Sequence, residues 1–190
     1  VALHAFKIAK QDRKFDSVVI SGLGPIGILL ASWCKLNKIT NVIGIDRNEN
    51  RFKNFKDLGF KKIIDTSKDN FNEKINDFTN KDLAEIVFEC SGSEELLNKG
   101  ILSLKKGGKI IVLSNQIKSS NLYHETLNKI LRQEIQIKGS WSSVIEPYNE
   151  WEESLNMLSS KKLEINNLIS HHFKFSDAPK IFKSMYNKEF

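Results

Sequence analysis

The residues with the clearest chemical potential are three glycines that stand between two apolar segments. Gly22, Gly24 and Gly27 follow the pattern G-x-G-x-x-G, directly after the apolar run SVVIS and directly before a segment of helical period. In such a strand–turn–helix unit the first glycine permits a tight turn, the second lets the backbone approach a pyrophosphate, and the third lets the helix pack closely on the sheet. Pro25 has no N–H to lose at the start of a helix. The free amides and partial positive charge of that helix end favour a phosphate.

An acidic residue stands where a ribose-binding carboxylate is expected. Asp46 ends the apolar run NVIGID, about 20 residues after the last glycine of the pattern. A carboxylate there accepts hydrogen bonds from the adenosine ribose and repels a 2′-phosphate, which favours NAD over NADP. Arg47 and Arg51 are neighbouring cations that would soften this preference. The simpler interpretation is a structural turn in which Asp46 only caps the following helix.

Short apolar, β-branched runs alternate with segments of helical period along the chain. The runs are nearly continuous rather than alternating, which is typical of strands buried on both faces. Strand alternating with helix predicts an α/β fold with a parallel sheet covered on both sides. Six strands with right-handed crossovers favour the doubly wound Rossmann order 3-2-1-4-5-6. The predicted strands are 17–21, 41–46, 61–65, 84–90, 108–114 and 134–140, and the predicted helices are 26–37, 48–58, 69–78, 93–104, 122–132 and 147–159.

Several local signals refine this prediction. Gly59 is expected to cap the end of helix 48–58, and the glycine pair 107–108 is expected to mark the turn into the fifth strand. Residues 169–175 are predicted to form a short strand. A helix is expected to follow, with Ser176 as its N-cap and Pro179 in its first turn.

The composition indicates a globular domain and argues against several other classes of protein. The 190 residues, 40% hydrophobic and 27% charged, fit one globular domain. The net charge is +6, but the lysines are scattered and only four residues are arginine, which argues against nucleic-acid binding. The apolar run 17–33 is short and interrupted by glycine and proline, so no membrane span is predicted. Cys34 and Cys90 are too few for a Cys-rich zinc site or a disulfide framework, which predicts reduced thiols and a cytoplasmic location.

Four segments resemble the cofactor domain of zinc-dependent medium-chain dehydrogenases. SGLGPIGILLASWCKLNKITNVIGIDRNENR is similar to the family's dinucleotide segment, and AEIVFECSG to the end of its fourth strand. LKKGGKIIVLSNQ resembles the fifth strand, and FSDAPKIF resembles a late helix. ILRQEIQIKGSWSS followed by EWEESLNML is most similar to the polyol branch, with its galactitol-1-phosphate and sorbitol dehydrogenases. The resemblance covers essentially all of residues 1–190, as one dinucleotide-binding domain.

The resemblance implies a role for individual residues. Simpler interpretations stand beside these roles: Cys90 as a small packing residue, Ser91 and Ser114 as partners of strand-end backbone, and Trp141 as an anchor on an edge strand or interface. The implied contacts are the pyrophosphate with Gly22, Gly24, Pro25, Ile26 and Gly27, the ribose with Asp46, the adenosine or its phosphate with Arg51, the adenosine side of the cleft with Cys90 and Ser91, and the nicotinamide amide with Leu113, Ser114, Asn115, Ser140, Trp141 and Ser142.

The implied reaction is oxidation of a secondary alcohol of a polyol or polyol phosphate to a ketone, with NAD as the hydride acceptor. In the family a separate domain supplies the catalytic zinc, which polarises the alcohol oxygen. No metal site is predicted here, because His171 and His172 would point to opposite faces of a strand and the other histidines stand alone. The chain begins with Val1 rather than Met, so we expect an excised cofactor domain whose helix in 1–14 leads toward a missing catalytic domain. Such a fragment is expected to bind NAD(H) without turning over substrate.

Three alternatives stay open. A stand-alone NAD(H)-sensing regulatory domain would need an interaction element. A methyltransferase also uses a glycine loop and a ribose-binding acid, although with a different glycine spacing. A zinc-free NADPH-dependent reductase of the same superfamily would be favoured by a preference for NADPH. The oligomeric state is also open: the fifth and sixth strands leave a sheet edge, and the family resemblance implies a homodimer or homotetramer paired through it.

Overall fold

A parallel β-sheet forms the centre of the computed structural model, which describes residues 1–11, 14–115, 120–163, 165 and 168–187. The strands are β1 (Ser17–Ser21), β2 (Asn41–Asp46), β3 (Lys62–Asp65), β4 (Ala84–Glu89), β5 (Leu104–Val112) and β6 (Gln136–Gly139). They lie in the order β3-β2-β1-β4-β5-β6, and every neighbouring pair is parallel. The predicted doubly wound order is therefore confirmed.

Helices connect the strands and cover both faces of the sheet. Asparagine or serine begins four of them, because the side-chain oxygen accepts a hydrogen bond from an amide of the first turn. The last helix follows a short 3₁₀ helix, Phe175–Asp177. The helices are α1 (Ala2–Lys10), α2 (Pro25–Leu36), α3 (Glu49–Asp57), α4 (Phe71–Thr79), α5 (Glu94–Leu102), α6 (His124–Gln133), α7 (Glu150–Ser159) and α8 (Ala178–Tyr186). In the described part of the chain no helix is both long and apolar enough to cross a membrane.

The core has two layers because alternate residues of each strand face opposite sides of the sheet. Val18 and Ile20 of β1 pack in a cluster with apolar side chains of α1, α2 and α3. Val19 packs in a second cluster with side chains of α4 and α5. Strands β1, β2 and β4 are thus buried on both faces along almost their whole length, as their continuous apolar runs predict, and only their ends are available for polar chemistry. The same prediction is wrong for the edge strand β6, which is largely exposed because no further strand of the sheet lies beside it among the described residues.

The predicted turn at the glycine pair 107–108 is wrong, because these residues lie inside β5. Ala84 pairs with Leu104, whereas Ile86 pairs with Lys109, so the intervening residues of β5 bulge out of the ladder. Gly107 has a φ of +67°, which a residue with a side chain rarely adopts. Gly59 does follow α3 as predicted, with a φ of +96° and its amide bonded to the Lys56 carbonyl.

The predicted strand at 169–175 is also wrong. Its residues form irregular chain without a sheet partner, and they lead into the 3₁₀ helix Phe175–Asp177. Ser176 lies inside that helix and is not the N-cap of α8, which is Asp177, whereas Pro179 does occupy the first turn. Alternating apolar residues alone do not form a strand when no neighbouring strand offers a ladder of hydrogen bonds. His171 and His172 are therefore exposed on irregular chain rather than on opposite faces of a strand.

Candidate functional site

The glycine turn joins the end of β1 to the start of α2. Gly22 has a φ of +95°, and its amide donates to the carbonyl of Ile45 on the neighbouring strand, with N and O 2.8 Å apart. A Cβ on Gly27 would lie 2.0 Å from the carbonyl oxygen of Gly22, so α2 begins pressed against the turn. A Cβ on Gly24 would meet no atom within 4 Å. A side chain at Gly22 would be strained by the positive φ, and one at Gly27 would clash with the backbone of the turn. The space beside Gly24 is open.

The first turn of α2 presents unused amides beside this open space. The amide of Ile28 makes the first bond of the helix, to the carbonyl of Gly24, at 3.0 Å. The amides before it have no carbonyl four residues earlier within the helix, and Pro25 has none to offer. No side chain caps this helix end. The arrangement is electropositive and suits an anion.

Asp46 ties the turn to the end of β2. Asp46 is only 6% exposed to solvent. One carboxylate oxygen accepts from the amide of Leu23 at 2.8 Å and from Nη1 of Arg51 at 3.1 Å. The other accepts from the amides of Arg47 and Asn48 at 2.8 and 2.9 Å. The carboxylate therefore has a structural function in the turn, and a ribose hydroxyl would compete with the half-exposed Arg51 for its oxygen.

These residues line a cleft of about 750 Å³ at the carboxyl ends of the strands. The cleft spans the point where the strand order reverses between β1 and β4, which is where open α/β sheets bind ligands. Six of the residues predicted for the site lie on its wall: Gly22, Gly24, Asp46, Arg51, Cys90 and Ser91. Pro25, Ile26 and Gly27 follow in the first turn of α2, where Ile26 packs against the core.

The end of β3 adds wall residues that the sequence analysis missed. Thr66 and Ser67 line the cleft. The hydroxyl and the backbone amide of Ser67 both donate to the carboxylate of Asp65, at 2.6 and 3.0 Å. These hydrogen bonds, with Lys68 nearby, hold the pKa of the Asp65 carboxyl below its usual value. The signal in the sequence was the polar pair that follows an apolar run, because strand ends meet at the same edge of a parallel sheet.

The end of β4 carries a buried acid that the sequence analysis also missed. Glu89 is fully buried, and its carboxylate accepts from the amide and hydroxyl of Ser91 at 2.8 and 2.5 Å. It also accepts from the amide of Gly92 at 3.2 Å and from the hydroxyl of Ser114. Burial and the charge of Glu89 raise the pKa of the Cys90 thiol, which disfavours a reactive thiolate. An acid inside an otherwise apolar run was the available signal.

The remaining predicted residues lie at the ends of β5 and β6. Leu113 packs against the core, and Ser114 accepts from the amide of Gly92 at 2.9 Å. Ser140 is buried, its amide donates to the carbonyl of Val112 at 2.9 Å, and its hydroxyl has no hydrogen-bond partner among the described residues. None of this group lies on the cleft wall: Leu113, Ser114, Asn115, Ser140, Trp141 and Ser142. The indole residue, Trp141, is 76% exposed.

The described residues do not fit a metal. Across these parts of the chain no group of three or more His, Cys, Asp or Glu side chains is arranged to hold a metal ion. Zinc sites in proteins take three or four such ligands. We therefore assign no step of chemistry on this chain to zinc.

Comparison with known proteins agrees with this geometry. Residues 25–160 match the family of zinc-binding dehydrogenases. A sorbitol dehydrogenase of Halalkalibacterium halodurans is 30% identical over 184 residues, which is 96% of this chain and 52% of that protein.

Solved structures share the fold. The galactitol-1-phosphate dehydrogenase of Escherichia coli superposes with a TM-score of 0.88 at 22% identity, over all of this chain and 55% of that one. A short chain alcohol dehydrogenase of Escherichia coli CFT073, complexed with cofactor NADH, has a TM-score of 0.79 at 19% identity, over 97% of this chain and 54% of that one. The chain thus spans about half the length of its relatives. Its sequence and fold place it in the family of zinc-binding dehydrogenases.

Proposed function

We propose that this chain is the NAD(H)-binding domain of a zinc-dependent medium-chain dehydrogenase. The observation that carries the proposal is the open space beside Gly24, bounded by unused amides at the start of α2 and by the buried carboxylate of Asp46. A diphosphate needs close backbone approach and donors, and the adjoining ribose needs an acceptor. The relative with NADH in its structure shares the fold, which supports the same type of ligand here.

The chain's own residues bind and orient the dinucleotide in this proposal. The pyrophosphate lies against Gly24 and the first-turn amides of α2, and the adenosine ribose lies against Asp46. Arg51 releases one oxygen of Asp46 to the ribose and turns toward the adenosine or its phosphate. The buried hydroxyl of Ser140 has no hydrogen-bond partner among the described residues. It forms a hydrogen bond with the nicotinamide end of the cofactor. When bound, the nicotinamide supplies the hydride-transfer chemistry.

The substrate proposed for the whole enzyme is a polyol or polyol phosphate, of which a secondary alcohol is oxidised to a ketone. Support comes from the relatives, a sorbitol dehydrogenase and a galactitol-1-phosphate dehydrogenase. The described residues offer no metal site, so the zinc ligands and most of the substrate pocket are proposed to lie in the half of the relatives' length that this chain does not span. The chain alone is therefore expected to bind cofactor without oxidising alcohol. The free thiols of Cys34 and Cys90 support a reducing, cytoplasmic location.

A second copy of this chain is the proposed partner at the β6 edge. The edge strand Gln136–Gly139 pairs only with β5 among the described strands. Apolar side chains stand exposed around it: Leu127 and Leu131 on α6, Ile137 on β6, and Trp141. An edge strand with apolar surface beside it favours pairing between chains, so a homodimer or a homotetramer is expected.

Calorimetry with NADH tests the cofactor proposal. Binding in the micromolar-to-millimolar range is expected, with weaker binding of NADPH because of Asp46. No detectable heat at millimolar NADH would overturn the proposal. Tighter binding of NADPH would favour the zinc-free reductases, and competition by S-adenosylmethionine would favour a methyltransferase. Alcohol oxidation is measured in parallel with sorbitol and galactitol 1-phosphate, and none is expected from this chain alone.

A further inference from the structure

The carboxylate of Glu89 is surrounded by hydrogen-bond donors beside the cleft, and the proposed contacts with cofactor do not use it. It lies at the end of β4, in register with Ser21 on one side and Val112 on the other. No solvent reaches the residue. Burial of a carboxylate costs free energy unless hydrogen-bond donors surround it. The donors around Glu89 therefore indicate which parts of the structure it holds together.

Four groups of the described residues donate a hydrogen bond to this carboxylate. The amides of Ser91 and Gly92 and the hydroxyls of Ser91 and Ser114 all do so. The ionised form of a carboxylate accepts hydrogen bonds and donates none. An amide in its place would turn an N–H₂ group either toward the amides of Ser91 and Gly92, which cannot accept, or toward the Ser114 hydroxyl, which would have to accept instead of donating. Either placement alters the network that the carboxylate makes.

The two hydroxyls extend the network across the loops. Ser114 donates to Glu89 and accepts from the amide of Gly92 at 2.9 Å. Ser91 donates to Glu89 and accepts from the amide of Ser93 at 3.1 Å. Gly92 has a φ of +70°, and a Cβ on it would lie 2.8 Å from the carbonyl oxygen of Asn115. One carboxylate thus fixes the loop after β4 against the end of β5.

The loop after β4 is a wall of the cleft, formed there by Ser91, Gly92 and Ser93. The end of β5 carries Ser114 and Asn115, which the family resemblance assigns to the nicotinamide side. We propose that Glu89 is a positioning residue, which joins the adenosine-side loop to the nicotinamide-side loop and holds both in the arrangement that binds the dinucleotide. This inference rests on the proposed NAD(H) site and adds to it a residue that touches no cofactor atom.

The chain provides a matched control for this proposal on the same strand. Glu85 stands at the opposite end of β4, and its carboxylate accepts from the amides of Asp16 and Ser17 at 2.6 and 3.2 Å. It therefore offers similar chemistry far from the cleft wall, a carboxylate on backbone amides that also pairs with Lys105 at 3.3 Å. Glu85→Gln is expected to lower the melting temperature and leave NADH affinity unchanged.

The test compares NADH binding by fluorescence titration with thermal unfolding, at a temperature where each variant is folded. Glu89→Gln is expected to raise the Kd for NADH by about tenfold or more, because both loops must then be ordered on binding. Ser114→Ala removes one link only and is expected to raise the Kd by a smaller factor. The double variant is expected to bind no worse than Glu89→Gln, because both changes break one network.

The outcomes separate this inference from the function on which it rests. If the unaltered chain does not bind NADH, the proposed function fails first. If it binds, and Glu89→Gln loses melting temperature but keeps the Kd of the unaltered chain, as the Glu85 control does, Glu89 is merely structural and the inference is overturned. If Glu89→Gln does not fold, Ser114→Ala decides: an unchanged Kd for NADH contradicts the positioning role.

Discussion

Replacing Gly24 and Gly27 separately with alanine distinguishes a glycine that serves the ligand from one that serves the fold. The two positions are three residues apart in the same turn, and each change adds one methyl group. At Gly27 the new Cβ would lie 2.0 Å from a backbone oxygen, whereas at Gly24 it would meet no atom within 4 Å. The chain without ligand should therefore tolerate Gly24→Ala and resist Gly27→Ala.

The stability change expected at each position follows from this geometry. Gly24 is the N-cap of α2, where alanine is worse than glycine by about 0.5–1 kcal/mol. Alanine within a helix gains about 1 kcal/mol over glycine, but at Gly27 the clash with rigid backbone outweighs that gain. Overpacking costs about 1–3 kcal/mol and sometimes more, and a 2.0 Å approach to rigid backbone belongs at the upper end, so the net loss at Gly27 is about 2 kcal/mol or more. For a chain of this size each 1 kcal/mol shifts the Tm by about 2–4 °C, so the drop should be clearly larger for Gly27→Ala.

In the folded protein the order should be reversed for cofactor affinity, with Gly24→Ala weakening NADH binding more than Gly27→Ala. A methyl group on Gly24 occupies the space where a phosphate would approach the amides of α2. Hydrogen bonds to a charged group contribute about 1.5–3 kcal/mol each, and 1.4 kcal/mol is about tenfold in affinity. Loss of one such bond therefore predicts a Kd for NADH that is about 10- to 100-fold weaker.

The assay pairs calorimetric NADH titration with differential scanning calorimetry of both variants. A Gly24→Ala protein that binds NADH as tightly as the unaltered chain would show that no phosphate approaches this turn. A Gly27→Ala protein with an unchanged Tm would show that the turn and helix can separate without penalty, and the reasoning from the close approach to Gly22 would then be wrong.

Three further predictions concern charge and assembly. Burial raises the pKa of Glu85, but the amides of Asp16 and Ser17 together with the ammonium of Lys105 outweigh it, so the folded pKa is below its usual 4.5. The stabilisation is thus present above that pH and lost as pH falls through the folded pKa. Denaturant unfolding should find Glu85→Gln less stable by about 1 kcal/mol at pH 7, and a gap that persists at pH 3 would contradict this. Asp46→Asn should raise the affinity for NADPH relative to NADH by about tenfold, since repulsion of the 2′-phosphate falls; an unchanged ratio in paired titrations argues against ribose binding there. Leu131→Lys, at a position 77% exposed, should convert a dimer or tetramer to monomers in light scattering, and an assembly that persists would place the interface elsewhere.

The sequence predicted the sheet because its signals are local and repeated. The apolar runs reveal strands buried on both faces, and the glycine pattern with Asp46 identifies the turn between β1 and α2. The tail lacked such redundancy. Residues 169–175 alternate like a strand, yet no neighbouring strand pairs with them, and the glycine pair 107–108 was assigned to a turn because a bulge cannot be distinguished from a turn without its partner strand.

The site was predicted in part for the same reason. Gly22, Gly24 and Asp46 belong to one short motif, and the structure brings them together on one cleft. Thr66 and Ser67 follow β3, which lies two positions from β1 in the sheet, so their proximity to the glycine turn depends on the strand order rather than on any local pattern. The roles assigned to the residues at the ends of β5 and β6 stay predictions, to be tested by ligand binding.

By itself the sequence determined the fold class and the position of the glycine turn between β1 and α2, because hydrophobic period and glycine spacing act over a few residues. Only the tertiary structure decided which glycine leaves open space and which is closed against backbone, since that depends on atoms brought together by packing. It also showed that Asp46 holds the turn as well as facing the cleft. Glu89 gained its role in the same way: its donors come from the ends of two strands that meet only in the folded sheet.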